Sequence, residues 1–499
     1  LKKVLTQEKM KSDLSTKRKE YLIRALKDRI DIFSVIGRYK EGINDCERLI
    51  SFCSKDKNKY SKLIEKSKVT IASLVARGMG DYEKAEKMLK RIINKKIDEE
   101  TFASGLYTMG IIYFYKGDFK KSLICYERSL EIFKRLNNKK YIENIYNTMG
   151  ILYHNMSEYD LALNSYKECY KISKKNKDKV LTISSLHNIG LVYFYTGKTD
   201  NALKYFLKSA QMSESIGYKL GTAISYNSLG MALERKNLNN EAFKYYEKYL
   251  NLSNEIDYKM GSIIANDNIG KFYLEESNIE TALKYFRESL NLAEKTNYHV
   301  GKVIILEHLG DTYFYKKDFS YALENYNLAL ALTEKMNNKK ESGKFLLKIG
   351  TTYLMENNFD KAEEFFKRSE EIFLKINDLE NLALFYSKMC DLHFIKKNYA
   401  LAFDFAKKGY QIILENPKCS ENVKMNIFVS LAKSRLITED QKIFVYIKEI
   451  SKISKKLRKT LELSNTINIL YNSIEELYEK KDKEKILNLL RELKSGDGA

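Results

Sequence analysis

The chain has 499 residues, with 87 Lys and Arg against 66 Asp and Glu, a formal net charge of +21, a single proline and no tryptophan. Helical periodicity with almost no proline argues for an all-α chain, because proline breaks helix interiors. No apolar run is long enough to span a bilayer, and the opening Leu1 to Leu5 lacks the apolar stretch and small-residue cleavage site of a signal peptide.

The charge has two readings. One is a nucleic-acid or acidic membrane surface. The other is genome bias, since lysine outweighs arginine and asparagine, isoleucine and tyrosine are all abundant. No arginine-rich cluster or dedicated basic segment appears, so the second is preferred, although the charge still favours acidic partners. Cys46, Cys53, Cys125, Cys169, Cys390 and Cys419 form no CxxC pair. They are expected to be buried thiols of a reduced cytoplasmic protein, with no zinc site. No other metal or cofactor is expected.

Taken in chain order, residues 1–19 are expected to form a helical lead-in. A helix pair from Glu20 to Phe52 turns at Gly37-Arg38-Tyr39, and a second turn of the same kind stands at Gly80-Asp81-Tyr82 with Ala85. A strict register then begins. Gly110, Gly150, Gly190, Gly230, Gly270, Gly310 and Gly350 recur every 40 residues, and Cys390 takes the next place. Tyrosine follows three residues later at 113, 153, 193, 273, 313 and 353. A small residue follows at twelve (Ser122, Ala162, Ala202, Ala242, Ala282, Ala322, Ala362, Ala402), and an aromatic four further on (Tyr126, Tyr166, Phe206, Tyr246, Phe286, Tyr326, Phe366). Each unit reads as two helices, for instance Tyr141 to Tyr153 and Leu161 to Lys174. Asp118, Asp318 and Asn358 are placed to cap the second helix. Turns such as Asn137-Asn138, Ile216-Gly217 and Asn337-Asn338 suit left-handed helix ends. Ser430 and Leu470 hold the glycine register downstream, but the small and aromatic residues are lost. The division is therefore a solenoid over 20–415 of about ten repeats, a degenerate cap over 416–493 and a disordered tail over 494–499.

Met149, Gly150, Tyr153, Ala162, Tyr166 and Cys169 stand at the Leu, Gly, Tyr, Ala, aromatic and small positions of the tetratricopeptide repeat (TPR), which the chain resembles. The usual unit has about 34 residues and a terminal proline; this one is longer and lacks that proline. The long unit resembles the subgroup of Leu-Gly-Asn-type G-protein modulators, kinesin light chains and bacterial peptide-sensing regulators. The resemblance implies an all-α, right-handed α-solenoid of antiparallel helix pairs. It also implies a concave face, built mostly from the first helix of each pair, that holds a peptide or partner protein.

The glycine and the alanine are expected to meet where the two helices of a unit approach most closely, with the aromatic filling space against the next unit. Those positions, and Tyr113 with its equivalents, are read as core. Asn147, Asn188, Asn227 and Asn268 lie two or three places before the glycine in four successive units. An amide both donates and accepts. In TPR proteins of this subgroup, asparagines of the first helix hydrogen-bond the backbone of an extended peptide, which makes these four candidates; solvated polar residues are the competing reading. Tyr115, Tyr195 and Tyr315, at the end of the first helix, are candidates for the groove or its rim, with packing between repeats as the competing reading. Glu234-Arg235, Leu274-Glu275, Asp311 and Glu307 make the expected groove chemically uneven. His187 and His308 lie on the same helices in different units, with no Cys or Asp partner evident. No nucleophile elbow, P-loop, GxGxxG or HExxH occurs, and no catalysis is expected.

The sequence therefore points to a cytoplasmic, bacterial scaffold for a peptide or protein, without a small-molecule substrate. The alternative is the sensory arm of a larger signalling protein, with a kinase, cyclase or DNA-binding output elsewhere. A start at Leu1 rather than methionine favours that alternative.

Overall fold

A computed structural model describes residues 16–35, 37–95, 97–436, 442–454, 461–477 and 483–495. Most of the lead-in expected over 1–19 and most of the tail expected over 494–499 lie outside them. The described residues are all-α, with no strand among them. They fall into two compact units, 1–221 and 222–499, each a stack of antiparallel helix hairpins.

The 40-residue period is two periods of 20. From Glu99 to Glu415 every helix has 17 or 18 residues. A residue of positive φ ends each one, at 20-residue intervals: Gly117, Asn137, Ser157, Lys177 and Gly197 in the first unit, and Asn237 through Lys397 in the second. The turn is closed by paired backbone bonds. Gly117 N–H donates to Phe114 C=O at 3.0 Å and Asp118 N–H to Tyr113 C=O at 2.9 Å, which satisfies the carbonyls the helix end leaves open. Asp118 and Asn358 cap the following helix as expected. Asp318 has the same cap backbone, but its side chain makes no capping bond.

The glycine register proves to be an aromatic contact. The expected glycine–alanine meeting is not the main one. A Cβ on Gly150 would lie 2.5 Å from the Tyr166 ring, and one on Gly190 2.6 Å from Phe206. The same ring of the same hairpin covers Gly110, Gly230, Gly270, Gly310 and Gly350. The aromatic therefore closes its own hairpin. Its ring lies over the bare Cα, and the small residue four places earlier, fully buried at Ala162 and Ala202, lets the helices approach closely enough for this. Downstream, Leu470 fills the glycine's place as a fully buried side chain. It belongs to a core with Met425, Val429, Ile443, Ile447, Ile474 and Leu490.

One core position in the first unit carries a charge. Glu143 is 2% exposed where the equivalent residues include Ala103 and Ile183. Its one hydrogen bond comes from Asn176 Nδ2 at 2.8 Å. Burial holds its carboxyl above the usual range, against that bond. The folded state then binds the proton more tightly than the unfolded chain, so stability falls as pH rises through the carboxylate range. Glu143→Gln keeps the acceptor and removes the charge. Its thermal midpoint should exceed that of the parent at pH 7, and the gain should vanish once the pH drops below about 4. An equal gain at both pH values would rule out the buried charge as its source.

Candidate functional site

On the first helix of each hairpin, the residues three and two places before the glycine are one step of about 100° apart. The first leans toward the following hairpin and the second toward the preceding one. Side chains 41 residues apart therefore meet across successive hairpins. In the first unit Asn188 Nδ2 donates to Asn147 Oδ1 at 3.1 Å. In the second unit Asn268 Nδ2 donates to Asn227 Oδ1 at 3.0 Å. The four candidate asparagines are thus two hydrogen-bonded pairs, and their alternation between the two positions is what pairing requires. Asn147, Asn188 and Asn227 are half-buried, while Asn268 is 7% exposed.

The rungs continue with charge. His308 Nδ1 lies 2.6 Å from Asp267 Oδ1, so the histidine that looked partnerless in sequence has an aspartate. Lys348 Nζ reaches Glu307 at 3.1 Å and both oxygens of Asp311 at 2.6 and 2.9 Å. Burial opposes the Lys348 charge, but the Asp311 and Glu307 carboxylates outweigh it and hold the ammonium above its usual range. Tyr326 donates its hydroxyl to Asp311 at 2.6 Å. Farther on, Lys433 Nζ meets Asp391 at 2.7 Å beside the Ser387–Ser430 pair. In the second unit the rungs thus pass from amides to ion pairs. In the first unit, burial pushes the His187 imidazole down to about 4, against a hydrogen bond with its neighbour Asn188.

The candidate tyrosines sit elsewhere. Tyr195 is seven residues beyond Asn188, about 10 Å along the helix axis. Tyr195 is 51% exposed and lies parallel to Tyr159 at 6.5 Å and edge-on to His154 at 4.8 Å. Tyr115 is 56% exposed and stacks on Tyr82 at 5.5 Å. Tyr159 and Tyr82 each open the second helix of the preceding hairpin. Tyr315 is half-buried, with Phe314 edge-on at 6.1 Å. These rings form aromatic contacts at the turn end of the hairpins, apart from the rungs. Among the described residues no group of His, Cys, Asp and Glu is arranged to hold a metal, and no helix is long and apolar enough to cross a membrane.

The tetratricopeptide-repeat family model matches residues 101–175, 181–255 and 262–335. No curated protein matches the chain. Among solved structures, the apo form of RapI is similar at 12% identity and a TM-score of 0.55, over 72% of this chain and 99% of that one. The apo form of the quorum sensor NprR from B. thuringiensis is similar at 16% identity and a TM-score of 0.51, over 69% and 99%. These likenesses concern the fold. With its repeats matched in three blocks between residues 101 and 335 and its hairpins stacked as in those structures, the chain is a tetratricopeptide-repeat protein.

Proposed function

We propose that the chain is a non-catalytic scaffold that binds an extended peptide segment of a partner across the asparagine pairs on the inner faces of its hairpins. The observation that carries this is the state of the amides. Within a pair, one N–H···O bond is already made. The Nδ2 of the first asparagine and the Oδ1 of the second remain to donate and accept. A peptide unit presents one carbonyl and one N–H, and it loses water on binding unless both find partners. Rungs repeating from hairpin to hairpin suit a ligand with a repeating backbone. The ion-paired rungs from Asp267 to Lys348 add side-chain selectivity. Such a scaffold works in the cytoplasm, where its six free thiols stay reduced.

The test is selection from a display library of random linear heptapeptides on the immobilised chain. Recovery of a sequence family whose free peptides bind in solution is expected. Recovery no better than on the bare matrix would overturn the proposal. The fold likeness to NprR, itself a quorum sensor, favours a second reading in which the repeats are the sensory arm of a signalling protein. An open reading frame that continues into a kinase, cyclase or DNA-binding domain would decide for it.

A further inference from the structure

Beside the Asn227–Asn268 rung, the second unit holds a pocket of about 10 Å³ lined by Glu234, Asn239, Ala242, Tyr246, Asn268 and Phe272. That volume admits one water-sized group. The donors of its wall are engaged. The Tyr246 hydroxyl donates to the Glu234 carboxylate. Asn268 Nδ2 goes to Asn227 at 3.0 Å, and Asn239 Nδ2 points to Glu275 at 3.5 Å. The polar atoms left on the wall are acceptors. Asn239 Oδ1 is buried without any hydrogen-bond partner, the Asn268 Oδ1 is the half of that amide its rung does not use, and the Glu234 carboxylate has lone pairs beyond the one facing Tyr246. A buried amide oxygen left without a donor costs about 1–3 kcal/mol.

We propose that this pocket is a subsite for the ε-ammonium of a lysine in the bound peptide; the inference rests on the peptide-binding reading above. An ammonium brings three N–H donors to the three acceptors Asn239 Oδ1, Asn268 Oδ1 and Glu234, whereas a water brings two. Charge agrees, because Glu234 and its neighbour Glu275 make this point anionic on a chain of net charge +21. The Phe272 ring, stacked on Phe243 at 4.5 Å, gives one apolar wall for the lysine stem and a face for the cation. Size selects within the cations. A guanidinium is too broad for a water-sized space, and a peptide α-ammonium carries a branched Cα that cannot follow it in. An unbranched methylene stem can.

The experiment screens an array of randomised heptapeptides, N-acetylated and C-amidated, against the whole chain. Among binders, lysine should be enriched at one fixed position. Norleucine there, which keeps the stem and drops the charge, should weaken binding about tenfold or more. Arginine there should weaken it as well. Glu234→Gln and Asn239→Leu should each flatten the lysine preference while preferences at other positions persist, with thermal midpoints showing that the variants fold. Binders with no lysine preference, or norleucine peptides that bind equally, would overturn the subsite and leave the groove reading standing. Lysine-free peptides with a free α-amine that bind as well as the lysine peptides would also overturn it. An array with no binders at all removes both.

Discussion

Gly190→Leu should unfold the first unit at markedly lower denaturant than the parent chain. A Cβ at this position would come to 2.6 Å from two carbons of the Phe206 ring and 3.3 Å from a third, and real Cβ contacts do not approach so closely. Phe206 is 1% exposed, so its ring has no open space to swing into. The hairpin must therefore open or the ring must leave its rotamer, and overpacking of this kind costs about 1–3 kcal/mol, with the upper end expected for leucine. The effect should be local, because a repeat contacts only its neighbours; hydrogen exchange should accelerate in 179–215 before it does elsewhere. The identity of the clashing partner gives a sharper check. Phe206→Ala alone leaves a cavity and costs about 3–5 kcal/mol. In Gly190→Leu/Phe206→Ala the new side chain occupies the ring's place, so the double variant should be more stable than the sum of the two costs by well over 0.5 kcal/mol. Strict additivity would mean that the ring and the glycine do not share the contact.

That contact marks how far the sequence can be read. The spacing of glycine, small residue and aromatic announced hairpins because a 17-residue helix and a three-residue turn recur without exception through eight repeats. Spacing could not say whether the alanine or the aromatic closes on the glycine. Both lie on the inward side of the second helix, and the choice depends on the rotation of one helix against the other. The rungs were hidden for a related reason. Asp267 and His308 are 41 residues apart, one more than the period, and no repeat alignment places them side by side. Only the step between adjacent positions on a helix reveals that the third residue before one glycine faces the second before the next. Lys348 with Glu307 follows the same offset, so a search at 41 residues would have found it. Past residue 416 the register lapses. There Leu470 replaces the glycine, and packing of isoleucine and leucine, rather than a motif, forms the core.

Removing whole asparagine pairs should abolish most peptide binding while leaving the fold nearly intact. The pairing changes how such an experiment must be built. Asn188→Ala alone takes the donor from Asn147 Oδ1 and leaves a half-buried amide unsatisfied, so any loss of binding would mix stability with recognition. Asn147→Ala with Asn188→Ala removes both ends of the bond together, and replacing both partners of a hydrogen bond by apolar groups is close to neutral for folding. The same holds for Asn227→Ala with Asn268→Ala in the second unit. If each pair donates once and accepts once to the peptide backbone, it loses two bonds of about 0.5–1.5 kcal/mol each. One pair should then cost roughly tenfold in affinity, and both pairs roughly a hundredfold or more. The unfolding midpoint of each double variant should lie closer to that of the parent than the midpoints of its two single variants do. Binding is measured on a peptide selected from the heptapeptide library, with Tyr195→Ala as the contrast. Tyr195 lies at the turn end, stacked on Tyr159 and away from the rungs, so its loss should change affinity less than the loss of either pair. A quadruple variant that folds and binds the selected peptide with unchanged affinity would remove the amide rungs from the binding site and move it to the ion-paired rungs or the aromatic edge.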